Sequence, residues 1–205
     1  MADLRKQDNI YARVLELIIL TATRAGEAFK ARWEEVDLSA GIWTIPAERM
    51  KMGKEHRVPL SEAAVKLLES LPRLIGSRYI FQTSRGGCVA HKPVLKLIEA
   101  MHESNIQAGG KGYIDPKQNC VITTHGFRST FRDWAGETTG YPREVCEHAL
   151  AHRLADKAEA AYQRGDMLAK RAQLMADWAK YCGIVQPSAD NAIDNEVSDG
   201  KMKPV

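Results

Sequence analysis

Thr124-His125-Gly126-Phe127-Arg128 opens the part of the chain whose pattern decides the fold. With Thr124 read as a helix N-cap, helical signals recur to Cys182 in blocks at about 125–138, 142–150, 155–164 and 167–182. Pro142, after Gly140-Tyr141, suits a helix start. Upstream the pattern is mixed. Residues 9–22 carry Val14, Leu15, Leu17, Ile18 and Ile19, an apolar face wide enough for a well-buried helix, and a second helix is expected from Arg24 to Trp33. Val36-Asp37-Leu38, Ile42-Trp43-Thr44-Ile45 and His56-Arg57-Val58-Pro59-Leu60 read as strands, with turns at Ser39-Ala40-Gly41 and Met52-Gly53. Ser61 caps a helix expected to reach Leu71, Tyr79-Ile80-Phe81 reads as extended, and a helix from Pro93 to Glu103 precedes a glycine-rich loop at Ala108–Gly112. The expected class is α+β, mainly α-helical with a small antiparallel three-stranded sheet.

The chain of 205 residues has a composition of 44% hydrophobic and 27% charged residues, which fits one soluble globular domain. Its longest apolar run, Val14–Ala22, is interrupted by Glu16 and is far short of the roughly 20 residues a membrane span needs. No secretory leader pattern opens it, so a cytoplasmic protein is expected. Cys88, Cys120, Cys146 and Cys182 are scattered without a C-x-x-C pair, which argues against zinc and against a disulfide framework. The net charge of +3 is uneven. Asp190, Asp194, Glu196 and Asp199 against Lys201 and Lys203 leave −2 on residues 186–205 and +5 on the rest. A basic body with an acidic, disordered-looking tail permits nucleic-acid binding without demanding it.

Several residues carry chemistry, and each has a plain structural reading beside it. His125 and Arg128, three apart, share one face near a helix N-terminus, where free N–H groups favour a phosphate; alone they read as a solvated pair. Arg24 and Glu27 suit a phosphate-gripping guanidinium with its orienting acid; alone they read as an ordinary surface ion pair. Lys51 and Lys54 flank the Met52-Gly53 turn, where a lysine can protonate a leaving alkoxide or simply face water. His148 and His152 have metal-ligand spacing, but Ala149 stands where H-E-x-x-H needs its glutamate, so a metal is not expected. His152 suits hydrogen bonding to phosphate. Tyr162, beside Ala158 and Ala161, reads on its own as a half-buried core aromatic.

Taken together, these residues and their surroundings resemble the catalytic domain of tyrosine recombinases, the phage integrase family. The subgroup resembled is the integrases of phage satellites and genomic islands. The resemblance covers about residues 10–183. Its strongest stretches are His125-Gly126-Phe127-Arg128, Thr139-Gly140-Tyr141-Pro142-Arg143-Glu144-Val145, Ala149-Leu150-Ala151-His152, Ala161-Tyr162-Gln163-Arg164-Gly165-Asp166 and Leu174-Met175-Ala176-Asp177-Trp178-Ala179. It implies the DNA breaking-rejoining fold, with Arg24 as first catalytic arginine, Lys51 as hairpin lysine, His125 and Arg128 as the H-x-x-R pair, His152 as second histidine and Tyr162 as nucleophile. Glu27 supports Arg24. Lys51 is preferred to Lys54 because it precedes the turn, as the family's lysine does. Ala22 and Ala151 depart from the family by standing where many members have glycine.

The implied chemistry is site-specific DNA recombination, the integration or excision of a mobile element, through a 3′-phosphotyrosyl intermediate. It uses no cofactor and no metal. The implied partner is double-stranded DNA at an attachment-site core, with a homo-oligomer on DNA and a monomer without it. Residues 1–185 are expected to form the catalytic domain and 186–205 a disordered acidic tail. Because Met1 lies so close to Arg24, the family's amino-terminal arm-binding and core-binding domains are expected to be absent, and DNA binding to be weak and salt-sensitive. The alternatives are a type IB topoisomerase-like enzyme, a truncated DNA-binding remnant without full recombination activity, and a metal-dependent nuclease, which EDTA would inhibit.

Overall fold

The computed structural model describes residues 1–74, 76–84, 86–152 and 166–184. Tyr162 with its expected helix at 155–164, and the expected tail at 186–205, lie outside the described residues.

The architecture is built around one helix. After the short α1 (Ala2–Arg5), α2 (Ile10–Thr21) starts where Asn9 accepts the Ala12 N–H at 2.9 Å. Every residue of α2 from Val14 to Thr21 is buried, the mark of a central helix. Around it pack α1, α3 (Ala25–Phe29), α4 (Glu62–Glu69), α5 (His91–Gln107), α6 (Gly126–Thr138) and α8 (Leu168–Ile184), while α7 (Arg143–Ala149) packs on α6 and α8. Glu16 is a buried acid of this core, and its charge is matched by Arg5 at 2.6 Å and Arg13 at 3.1 Å. Trp178 of α8 donates its indole N–H to the Ile19 carbonyl at 2.7 Å and meets the Phe131 ring of α6 edge-on at 5.3 Å. No helix among the described residues is long and apolar enough to cross a membrane.

The expected sheet is present as an antiparallel β1-β2-β3, with β1 at Val36–Asp37, β2 at Ile42–Ile45 and β3 at His56–Pro59. Trp43 and Ile45 of β2 are fully buried, and Trp43 pairs with Val58 while Ile45 pairs with His56. Because β3 is an edge strand, Pro59 removes no ladder hydrogen bond that the sheet needs.

Four expectations are corrected by tertiary contacts. The helix from Arg24 stops at Phe29 rather than Trp33, because Ala31 and Trp33 bond to Ile80 and Arg78 and pull the chain into an extended bridge. That bridge is the destination of the extended Tyr79-Ile80-Phe81 segment. Thr124 does not cap α6: it is buried, with its hydroxyl 3.0 Å from His91 Nε2, and His125 takes the N-cap position without a side-chain cap. Helix α5 runs from His91 to Gln107, longer at both ends than expected. A second hairpin, β4 (Ile114–Asp115) with β5 (Cys120–Val121), follows the glycine-rich loop, its turn closed by Asp115 Oδ1 accepting the Lys117 and Gln118 N–H groups.

Candidate active site

Arg24 is the N-cap residue of α3, and Glu27 lies in its first turn. Glu27 Oε2 accepts the Arg24 backbone N–H at 2.9 Å, and Oε1 accepts from the guanidinium at 3.1 Å. The carboxylate is buried, so this is not the surface ion pair that spacing alone allows. Arg49 fastens the far side, donating to the Glu27 carbonyl and to the Glu35 carboxylate. The Arg24 guanidinium is thereby fixed while keeping part of its surface in solvent, as a phosphate-binding group requires.

Arg128 lies one turn into α6 and is only 6% exposed. It donates to the Ala22 carbonyl and, at 2.8 Å, to the Leu150 carbonyl. These oxygens close the C-termini of α2 and α7, where unpaired carbonyls and the negative dipole end attract a cation. Both helices end through alanines in the left-handed region, Ala22 at φ 50° and Ala151 at φ 49°. Burial, and then the neighbouring Arg24, bring the Arg128 pKa down to about 10, with Glu27 opposing the shift. His125, at the start of the same helix, is exposed.

His152 follows the left-handed Ala151, with its Nε2 3.3 Å from Arg128 Nη2. Its Nδ1 lies 2.8 Å from Glu147 Oε2, and its backbone N–H donates to the Glu147 carbonyl at 3.0 Å. Glu147 also accepts from Arg132 Nε at 2.6 Å. Burial works against ionisation of Glu147, but hydrogen bonds from His152 and Arg132 outweigh it and hold the carboxyl below its usual range.

Sequence reasoning missed Glu147 and Arg132, and it also missed His56. On β3, His56 is largely buried, bonds to the backbone of Ala149, and has Arg171, Arg128 and Arg24 as its charged neighbours. Burial first, then those arginines, push its pKa down to about 4, so the ring is neutral near pH 7. Arg171 of α8 is fully buried and donates to the Arg57 carbonyl at 2.5 Å and to the Asp166 carbonyl at 2.6 Å. Arg57 in turn reaches the Asp166 carboxylate at 3.2 Å. Asp166 is four residues past Tyr162 in sequence and is held against β3 from both sides.

Of the expected residues, Arg24, Glu27, Arg128 and His152 are brought together, and His125 stands one helical turn from Arg128. Lys51 is exposed in the β2–β3 connection, ahead of Gly53 at φ 61°. A separate open groove on the sheet is lined by Arg32, Glu34, Asp37 and Glu48 among others, and by none of these residues. Its acids make it a poor receptor for phosphate.

The described residues thus form a helical domain with a small sheet, in which two arginines and a histidine from distant segments come together. The phage integrase family model matches residues 1–167, and the chain belongs to that family. It is 37% identical over 161 residues to the prophage integrase IntA of Escherichia coli (strain K12), covering 78% of this chain and 36% of IntA. It is 31% identical over 180 residues to the integrase of Enterobacteria phage P4, covering 82% of this chain and 39% of that protein. The chain thus spans well under half the length of these relatives. Among solved structures, the integrase from mycobacterium phage Brujita superposes with a TM-score of 0.55 at 20% identity, over 82% of this chain and 50% of that one. A lambda integrase tetramer bound to a Holliday junction gives 0.53 at 17% identity, over 78% and 44%. The fold is that of tyrosine recombinase catalytic domains.

Proposed function

We propose that this chain cleaves and rejoins DNA strands in site-specific recombination of a mobile element, with residues 1–185 as its catalytic domain, acting in the cytoplasm. The observation that carries this reading is the meeting of Arg24 and His152 at Arg128, drawn from three helix ends. Tyr162 attacks phosphorus, the bond to the 5′ oxygen breaks, and a 3′-phosphotyrosyl ester forms. Arg24, Arg128 and His152 stabilise the charge on the non-bridging oxygens, with Glu27 holding Arg24 in place. Lys51 gives its proton to the departing 5′ oxygen, and His125 accepts the phenol proton. Because the ester conserves the bond energy, rejoining requires neither ATP nor a metal.

The partner is double-stranded DNA at an attachment-site core, on which copies of the chain assemble. Binding to duplex DNA is expected to weaken steeply as salt rises, because phosphate contacts dominate it. The deciding experiment is covalent capture on a nicked duplex in the presence of EDTA. The unsubstituted chain is expected to form a protein–DNA adduct, and Tyr162→Phe to bind DNA without forming one. Adduct formation by Tyr162→Phe overturns the assignment.

A further inference from the structure

His152 has two ring nitrogens, and their partners assign its tautomer. Arg128 Nη2, 3.3 Å from Nε2, can only donate, so Nε2 is the acceptor. The ring proton then resides on Nδ1, which donates to Glu147 Oε2 at 2.8 Å. Glu147 cannot swing away from this bond. Its other oxygen is taken by Arg132 at 2.6 Å, its backbone carbonyl accepts the His152 N–H, and the side chain is only 13% exposed. Arg132 stands one turn beyond Arg128 on α6, so the same helix supplies the guanidinium that faces Nε2 and the one that braces the acid behind Nδ1.

We propose that Glu147, braced by Arg132, is a positioning residue for His152: it holds the imidazole with Nδ1–H turned inward and Nε2 on the Arg128 side, from which only an imidazolium, with a second N–H at Nε2, donates to the scissile phosphate. This rests on the strand-transfer reading above. A histidine aimed by a carboxylate behind it keeps one ring orientation and one tautomer, whereas a free ring divides its time among several. The arrangement also accounts for the backbone. The left-handed turn at Ala151 brings His152 back over the end of α7, where the Glu147 carboxylate can reach it.

Two measurements on the full chain test the assignment. In the first, 15N-histidine spectra report the ring proton of His152 without requiring activity. The Nδ1–H form is expected to dominate in the unsubstituted protein and to give way to a mixture in Glu147→Ala. An unchanged spectrum in Glu147→Ala overturns the proposal. In the second, single-turnover capture on a nicked duplex is measured at saturating DNA. Glu147→Ala should slow capture by at least about tenfold, the lower end of the loss found when the carboxylate behind a metal-bound histidine is removed. Glu147→Gln, which keeps an acceptor oxygen for Nδ1–H, should restore part of the rate. In a His152→Ala background, Glu147→Ala should cost nothing more. Full additivity of the two substitutions would assign Glu147 a purely structural role and overturn the proposal. If the unsubstituted chain captures no DNA, the strand-transfer reading falls and this inference with it. If it captures DNA and Glu147→Ala does so equally well, only the inference falls.

Discussion

The Glu27 carboxylate holds Arg24 at two points, its backbone N–H at 2.9 Å and its guanidinium at 3.1 Å, from a buried position at the start of α3. One acid therefore caps a helix and aims a cation. Glu27→Ala should lower stability by about 1–2 kcal/mol through loss of the cap and should also reduce DNA capture. Glu27→Gln retains an acceptor for the backbone N–H and should be the milder of the two. Urea denaturation and capture assays on both variants check this.

Arg128 presents a different trade. Arg128→Met removes a buried charge but leaves the Ala22 and Leu150 carbonyls without their donor. The expected cost is on the order of 3 kcal/mol. Arg128→Lys retains the charge yet lacks the planar fork that spans both carbonyls, so it should fold more stably than Arg128→Met and still capture DNA poorly. Equal capture by the lysine variant and the unsubstituted chain would contradict the role of the fork.

Ala151 adopts φ 49°, a conformation that disfavours any residue with a β-carbon. Relief of that strain in Ala151→Gly outweighs the extra entropy of an unfolded glycine. A net stabilisation of about 0.5–1 kcal/mol is expected, read from the shift in the urea midpoint.

His56 makes folding sensitive to acid. Its folded pKa is about 4, below the ordinary 6.5, so the unfolded chain binds a proton that the folded one refuses. The stability this group supports is therefore complete above pH 6.5 and falls as the pH drops toward 4. The contribution is at most about 3 kcal/mol. His56→Gln should flatten the denaturation midpoint across that pH window. A slope unchanged from that of the unsubstituted protein would rule out His56 as its source.

Much of this was legible in sequence, and the rest was not for identifiable reasons. The apolar spacing of residues 9–22 marked α2, and Ser61 marked the start of α4, because both signals are local. The glycine preference opposite Ala22 and Ala151 was visible from the resemblance, and its cause is the left-handed backbone at both positions. Thr124 misled because its hydroxyl bonds to His91, 33 residues away, rather than to its own helix. The β4–β5 hairpin has two residues per strand, too few for any period to show, although Asp115-Pro116 and Asn119 are turn formers. Glu147, Arg132 and His56 were missed because nothing in their own neighbourhoods distinguishes them. Only the packing of β3 against α8, and of α6 against α7, gives them partners.

The two carbonyls that hold Arg128 have a consequence for how the protein comes into being. One lies 106 residues before it and the other 22 after it, and Arg171 reaches back 114 residues to Arg57. Contacts this distant in sequence form late, because the intervening chain must first be ordered. A half-made or misfolded copy thus lacks the placement of Arg128 on which the proposed phosphate contact depends. On the proposed function, strand cleavage is open only to molecules that have finished folding, a quality check written into the geometry of a single guanidinium.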